Sequence, residues 1–158
     1  MTGSATKKGT GSFVRSSGAN HRRRPEPPAT GVVVATSLIN GRGVFAIRNL
    51  PPRRKLGEIS GTLVKLPAAR LAVERCPKIY LIELSSRLAL NCSRGNSFKH
   101  LNHSCRPNCY LRVYLNRVEV YTLRKIPAGS ELTVNYGVTP HVGGMACSCG
   151  SARCVVRL

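Results

Sequence analysis

The chain has 158 residues, 42% of them apolar, and carries 25 Lys plus Arg against six acidic residues, all Glu, for a formal charge of +19. That length fits one domain; no apolar run approaches the roughly 20 residues of a bilayer span, and no apolar stretch follows the basic start as a secretory signal requires, so the expectation is a soluble intracellular protein, cytoplasmic or associated with chromatin or nucleoid, with no membrane partner. The lack of Asp discounts paired-carboxylate chemistry, a Ser-His-Asp triad and Asp-held magnesium, and seven Cys without a secretory signal point to free thiols or metal ligands rather than a disulfide framework.

Residues 1–30 are mostly Gly, Ser, Thr, Lys, Arg and Pro, with little beyond Phe13 and Val14 to bury. They read as a disordered basic arm that ends in the stiff linker Pro25–Pro28. From Gly31 the pattern becomes β-rich. Val32–Ala35 and Gly43–Ile47 read as strands around a loop at Ser37–Gly41. Leu50–Lys55 is a Pro-led turn, and Pro67–Arg75 is the one credible helix, opened by Pro67 and stopped before Pro77. In Cys109–Thr122, Cys109, Leu111, Val113 and Leu115 alternate with Tyr110, Arg112 and Tyr114. Asn116 then turns the chain into Val118, Val120 and Thr122, which predicts a hairpin with one apolar face. Ile126–Gly129 is a second Pro-led turn, and Glu131–Gly137 is a strand. The sum is one mainly β domain of many short strands over residues 31–140, followed by a Cys-rich tail at 141–158.

Four segments carry polar chemistry. Gly41-Arg42-Gly43 lacks the third glycine and following helix of a dinucleotide fingerprint; it is either a plain turn or a backbone that lets a ligand approach closely. Asn102–Cys109 packs amide, imidazole, hydroxyl and thiol groups into one loop. The loop reads as a binding site in preference to a Cys-His nucleophile pair. Tyr136, beside Gly137, closes the last strand. In the tail, Cys147, Cys149 and Cys154 have the clustering that a tetrahedral zinc site requires, with the fourth ligand open among Cys105, Cys109, Cys92, Cys76 and a His.

Taken in this order, the four segments resemble the SET-domain protein-lysine methyltransferases, over roughly residues 31–158. Gly41-Arg42-Gly43-Val44-Phe45 is similar to that family's opening glycine motif, and Lys99–Cys109 to the segment holding its Asn-His-Ser-Cys signature. Pro127–Gly137 is similar to its turn, strand and catalytic tyrosine, and the terminal Cys-x-Cys-x4-Cys to its post-SET zinc motif.

The resemblance implies a β-clip of several small sheets, with a C-terminal knot-like crossing and few short helices. It implies that the backbone of Gly41, Arg42 and Gly43 receives S-adenosylmethionine, and that Asn102 and His103 hold its amino-acid part and adenine. Tyr136 would border the methyl-transfer channel as catalytic residue and also contact the cofactor, and Cys105 would join Cys147, Cys149 and Cys154 around structural zinc. The implied activity is S-adenosylmethionine-dependent methylation of protein lysine. The competing reading is a SET-like zinc-bearing binding module, catalytically weak, for nucleic acid or protein tails. Several positions depart from the family pattern: Asn135 before the tyrosine, Asn91, Lys99 and His100 near the cofactor segment, and Ile59 where a channel tyrosine is common. The high positive charge adds an expectation of its own, nucleic acid as a partner and DNA-associated basic proteins as substrates.

Overall fold

The computed structural model describes residues 31–74, 76, 78–137, 139 and 143–158, so the basic arm read at 1–30 lies outside the described residues. Short runs of β-branched and aromatic residues set the architecture, each too brief to form a large sheet. In chain order the strands are β1 (Val32–Thr36), β2 (Arg42–Ala46), β3 (Lys55–Ile59), β4 (Thr62–Lys65), β5 (Leu81–Glu83), β6 (Leu88–Asn91), β7 (Asn102–His103), β8 (Cys109–Tyr114), β9 (Arg117–Thr122) and β10 (Glu131–Val134). Among the described residues there is one α-helix, α1 (Leu66–Val73), and one 3-10 turn, Ser97–His100. The strands form three small sheets, ordered β1-β2-β10-β7, β3-β9-β8 and β4-β6-β5. This is the mainly β, several-sheet architecture that the motifs imply.

The first sheet positions the site. β10, last of the strands, lies between β2 and β7, antiparallel to β2 through Leu132↔Val44 and parallel to β7 through Thr133↔Asn102 and Val134↔His103. Late chain is thereby wedged between two earlier segments. The wedge is apolar on its inner side: Val44 and Leu132 are fully buried, and Val134 is 2% exposed. They share one core with Val118, Val120 and Cys109 of the second sheet, Leu90 of the third, and Phe98 and Leu101 between them. Each such side chain contributes about 1.5–3 kcal/mol by leaving water. Gly57 of β3 is needed for that packing, because a Cβ there would lie 2.6 Å from the Phe98 ring.

Three local expectations are refined. The hairpin forms between β8 and β9, but its turn is Leu115-Asn116, with both residues at positive φ (47° and 61°), so Leu115 is 76% exposed in the turn instead of completing an apolar face. A two-residue hairpin needs that left-handed pair to match strand twist. The helix runs from Leu66 to Val73, starting one residue before Pro67, and Pro67 sits in its first turn as expected. Of its residues only Leu66 is buried. Strands β3 to β6 complete the second sheet and build the third where no element except the helix was anticipated.

Candidate functional site

The loop between β1 and β2 and the start of β7 are joined by one polar clamp. Asn102 is 5% exposed, and its Nδ2 donates to the Arg42 carbonyl (2.9 Å), to Glu131 Oε1 (2.7 Å) and to Ser37 Oγ (3.1 Å). The Ser37 hydroxyl in turn donates to the Glu131 carboxylate at 2.9 Å. Gly43 is required beside it, since a Cβ there would collide with the Glu131 carboxylate. Buried polar groups cost free energy unless paired, and here each is paired to another from a distant segment. The clamp therefore fixes the Gly41–Gly43 backbone against β7 and β10.

Beside the clamp opens a cavity of about 330 Å³, within the size range of small-molecule sites. Arg42, Tyr80, His100, Leu101, Asn102 and Tyr136 line it, and the tail reaches it at Met145. Ile59 and Asn135, two of the departures read from the sequence, are also in its wall. The wall is electropositive: burial, then the neighbouring charges of Arg42, Lys99 and Lys78, hold the His100 pKa below its usual value.

Tyr136 follows directly after the wedge strand and its neighbour Asn135. Its hydroxyl donates to the Leu101 carbonyl at 2.7 Å, and its N–H donates to His103 Nδ1 at 3.1 Å. Although the residue as a whole is 42% exposed, the hydroxyl is turned inward, and burial pushes its pKa up to about 12, with Cys92, Tyr80 and Glu131 adding to the effect. A phenol so placed stays protonated at neutral pH and acts as a hydrogen-bond group, not a base. His103 sits behind the cavity wall. Because Nδ1 accepts from Tyr136, the neutral ring carries its proton on Nε2, which lies 3.3 Å from Cys105 Sγ; burial keeps the ring neutral by lowering its pKa. One imidazole thus ties the phenol-bearing segment to the cysteines.

Cys105, just beyond β7, meets Cys147, Cys149 and Cys154 of the tail, with all four sulfurs within 4.8 Å of one another. Cys105 and Cys147 are 3.8 Å apart. Four sulfurs about 2.3 Å from a central zinc ion form a tetrahedron with edges of about 3.8 Å, so the cage fits a metal ion of that kind. Backbone N–H groups are directed at the sulfurs, from Val155 to Cys105 (3.4 Å) and from Val156 to Cys154 (3.3 Å). The backbone at Cys105 and Ser151 lowers the Cys149 thiol to about 6, whereas burial pushes Cys147 up to about 12. Of the other ligand candidates, Cys92 and Cys109 are buried in the core and Cys76 bonds the Ala72 carbonyl.

The cavity also suits S-adenosylmethionine in kind. It offers a cation (Arg42) and amides (Asn40, Asn102) to an amino-acid group, and Tyr80 and Ile82 to a purine. Thr139 Oγ1, buried in the same wall, has no hydrogen-bond partner among the described residues. Arg42 and Asn102 reach the cavity, while Gly41, Gly43 and His103 shape it from behind. Ser37, Glu131 and Tyr80 were not among the residues singled out from sequence. The only signal for Glu131 was a carboxylate opening an apolar strand in a chain with very few.

Fold and site together describe a three-sheet β domain whose cavity is bordered by a tail with three cysteines that meet Cys105 of the domain. Residues 41–137 match the SET domain family, and the chain belongs to it. It is similar to the histone-lysine N-methyltransferase trithorax of Drosophila virilis, 30% identical over 157 residues that cover 94% of this chain and 4% of that protein. It is also similar to the histone-lysine N-methyltransferase MEDEA of Arabidopsis thaliana, 34% identical over 117 residues, 69% of this chain and 17% of that one. A third relative is the histone-lysine N-methyltransferase, H3 lysine-4 specific, of Chaetomium globosum, 29% identical over 146 residues, 84% of this chain and 13% of that protein. The chain thus spans a small fraction of each.

Proposed function

We propose that this chain transfers a methyl group from S-adenosylmethionine to a lysine side chain of a protein. The observation that carries the reading is the convergence of Arg42, Asn102 and Tyr136, from three separate segments, on one cavity. S-adenosylmethionine supplies the methyl carbon on a sulfonium. The chain supplies position: in-line displacement requires the reacting atoms to be collinear and roughly 3–3.5 Å apart. In this reading Arg42, Asn102 and the backbone at Gly41–Gly43 bind the cofactor with His103 supporting them, and the Tyr136 oxygen orients the amine. No carboxylate base is required, because a buried amine loses its proton readily beside other positive charge. Zinc, held by Cys105, Cys147, Cys149 and Cys154, is structural and keeps the tail over the cavity.

The named relatives act on histones, and charge supports a similar substrate here. A chain of +19 repels a free basic peptide. A basic protein already on DNA has its charge compensated, and the DNA attracts this chain, so the substrate we infer is a DNA-associated basic protein and the location chromatin or nucleoid. The second reading, a binding module without turnover, is favoured by Ile59, which gives the cavity wall a hydrocarbon where the family pattern has a hydroxyl.

One experiment separates them: tritiated methyl transfer to a basic DNA-binding protein, alone and on DNA at several salt concentrations, alongside calorimetry of cofactor binding. Transfer that DNA stimulates at low salt, fading as the Debye length falls below about 10 Å, supports the full reading. Cofactor heat without transfer selects the binding module, and transfer indifferent to DNA removes the nucleoprotein.

A further inference from the structure

The sheet β3-β9-β8 packs one face on the core, and its other face takes no part in the cavity or the cage. On β8 and β9 the outward residues pair across the strands as Tyr110↔Tyr121, Arg112↔Glu119 and Tyr114↔Arg117. The rings of Tyr110 and Tyr121 are stacked, with centroids 5.4 Å apart and planes at 20°. The Arg112 guanidinium lies 5.3 Å from the Tyr121 ring centroid and 5.5 Å from that of Tyr114. It is fixed there by Glu119, which accepts from its Nε at 2.7 Å and is itself 7% exposed. The product is a ribbon of three tyrosines and one guanidinium, with Tyr110 37% and Tyr114 57% exposed. Three of the chain's five tyrosines are spent on it.

One end of the ribbon is strongly cationic, and topology explains why. β3 and β8 both run antiparallel to β9, so the start of β3, the end of β9 and the start of β8 lie together. Just outside them stand Arg53, Arg54, Arg124, Lys125 and Arg106, all exposed. Backbone bonds bind these loops to one another, from Arg53 N–H to the Thr122 carbonyl (2.9 Å) and from Leu123 N–H to the Asn108 carbonyl (2.8 Å); Arg124 Nη2 also donates to the Arg106 carbonyl at 3.2 Å. Among the described residues, the carboxylates form their ion pairs with Lys55, Arg70, Arg112 and Arg117, and with none of these five. The stacked pair Tyr110/Tyr121 lies one register position in from this end.

We propose that this face binds a single-stranded polynucleotide, with bases stacking on the Tyr110–Arg112–Tyr114 ribbon and phosphates meeting the five cations. Every base has a π-face, so such a platform is tolerant of sequence. A duplex hides its base faces and would meet only the cations; an acidic protein segment would likewise leave the tyrosines unused. The ribbon therefore selects the single strand. The inference is independent of methyl transfer, since no cavity residue belongs to the ribbon.

The test uses the full chain and three fluorescein-labelled probes: a twenty-nucleotide oligothymidylate, an oligouridylate of equal length and a duplex of equal length, followed by anisotropy over a salt series. At least one single strand should bind tenfold or more tighter than the duplex, and the tighter of the two identifies DNA or RNA as the source. The double variant Tyr110→Ala/Tyr114→Ala should lose about tenfold or more in single-strand affinity with duplex affinity unchanged, whereas Tyr114→Phe should retain it. Arg124→Gln with Lys125→Gln should weaken all probes and flatten the single-strand salt slope by about 1.4, for two lost phosphate contacts. Because the chain has no Trp, quenching of its tyrosine fluorescence by oligothymidylate reports stacking in the unaltered protein. Equal or tighter duplex binding, absence of quenching, or unchanged single-strand affinity in a double variant with the parent's melting temperature would overturn the proposal.

Discussion

Leu132 and Val134 on the wedge strand β10 are 0% and 2% exposed between β2 and β7, whereas none of the described residues from 143 to 158 in the tail is fully buried. The strand is held by apolar burial and by a polar clamp whose members come from three segments. The tail is held by paired backbone bonds between Met145 and Leu158, a bond from Cys147 N–H to the Val156 carbonyl, and four sulfurs. Both border the same cavity. One wall is thus built from the chain's own core, whereas the other rests on backbone bonds and a thiol cluster that a metal ion fits.

The largest effect should follow from removing metal. Structural zinc sites contribute on the order of 10–16 kcal/mol of binding free energy, and none of the described tail residues is buried to replace it. Chelation, or Cys154→Ser, should eliminate bound zinc and open residues 143–158 to proteolysis while the β circular-dichroism signal persists. A tail equally protected with and without metal would break the comparison.

Leu132→Ala attacks the other side. A fully buried leucine lost from the core should cost about 2–5 kcal/mol and lower the melting temperature sharply, while each folded chain still carries one zinc. Concerted loss of zinc at temperatures where the chain is folded would show that the two regions are one unit. Glu131→Ala is milder. It leaves the Asn102 amide and the Ser37 hydroxyl without their shared acceptor, for about 1–3 kcal/mol, and should weaken cofactor binding in calorimetry without altering zinc content.

The smallest effect concerns acid. His100 has a lower pKa folded than unfolded, because of burial and then of Arg42, Lys99 and Lys78. Its contribution to stability is complete above the unfolded value of about 6.5 and is lost as pH falls through the lower folded value. His100→Gln should flatten the acid side of the melting-temperature profile, and an unchanged slope would remove His100 as a cause.

What could be read in the sequence was what repeats locally or clusters. The alternation in Cys109–Thr122 announced the β8–β9 hairpin, the glycines and prolines marked its neighbouring turns, and the spacing of Cys147, Cys149 and Cys154 announced a cluster of thiols. The third sheet was not legible, because β4, β5 and β6 are three or four residues long and no period shows in so few. The clamp was not legible either. Ser37 and Glu131 are separated by 94 residues, and nothing near either one indicates the other. Leu115 misled because a leucine in register with an apolar face resembles a strand residue until the two-residue turn claims it.

The central claim is that Tyr136 acts on the transferring group through its hydroxyl and not by holding the cofactor. Tyr136→Phe removes one oxygen that hydrogen-bonds the Leu101 carbonyl and leaves the backbone bond to His103 in place. Single-turnover methyl transfer and cofactor calorimetry on this variant and its parent test the claim most directly. The transfer step should slow by about 10²-fold or more, with cofactor affinity within about twofold. Equal transfer rates in the two proteins would contradict it.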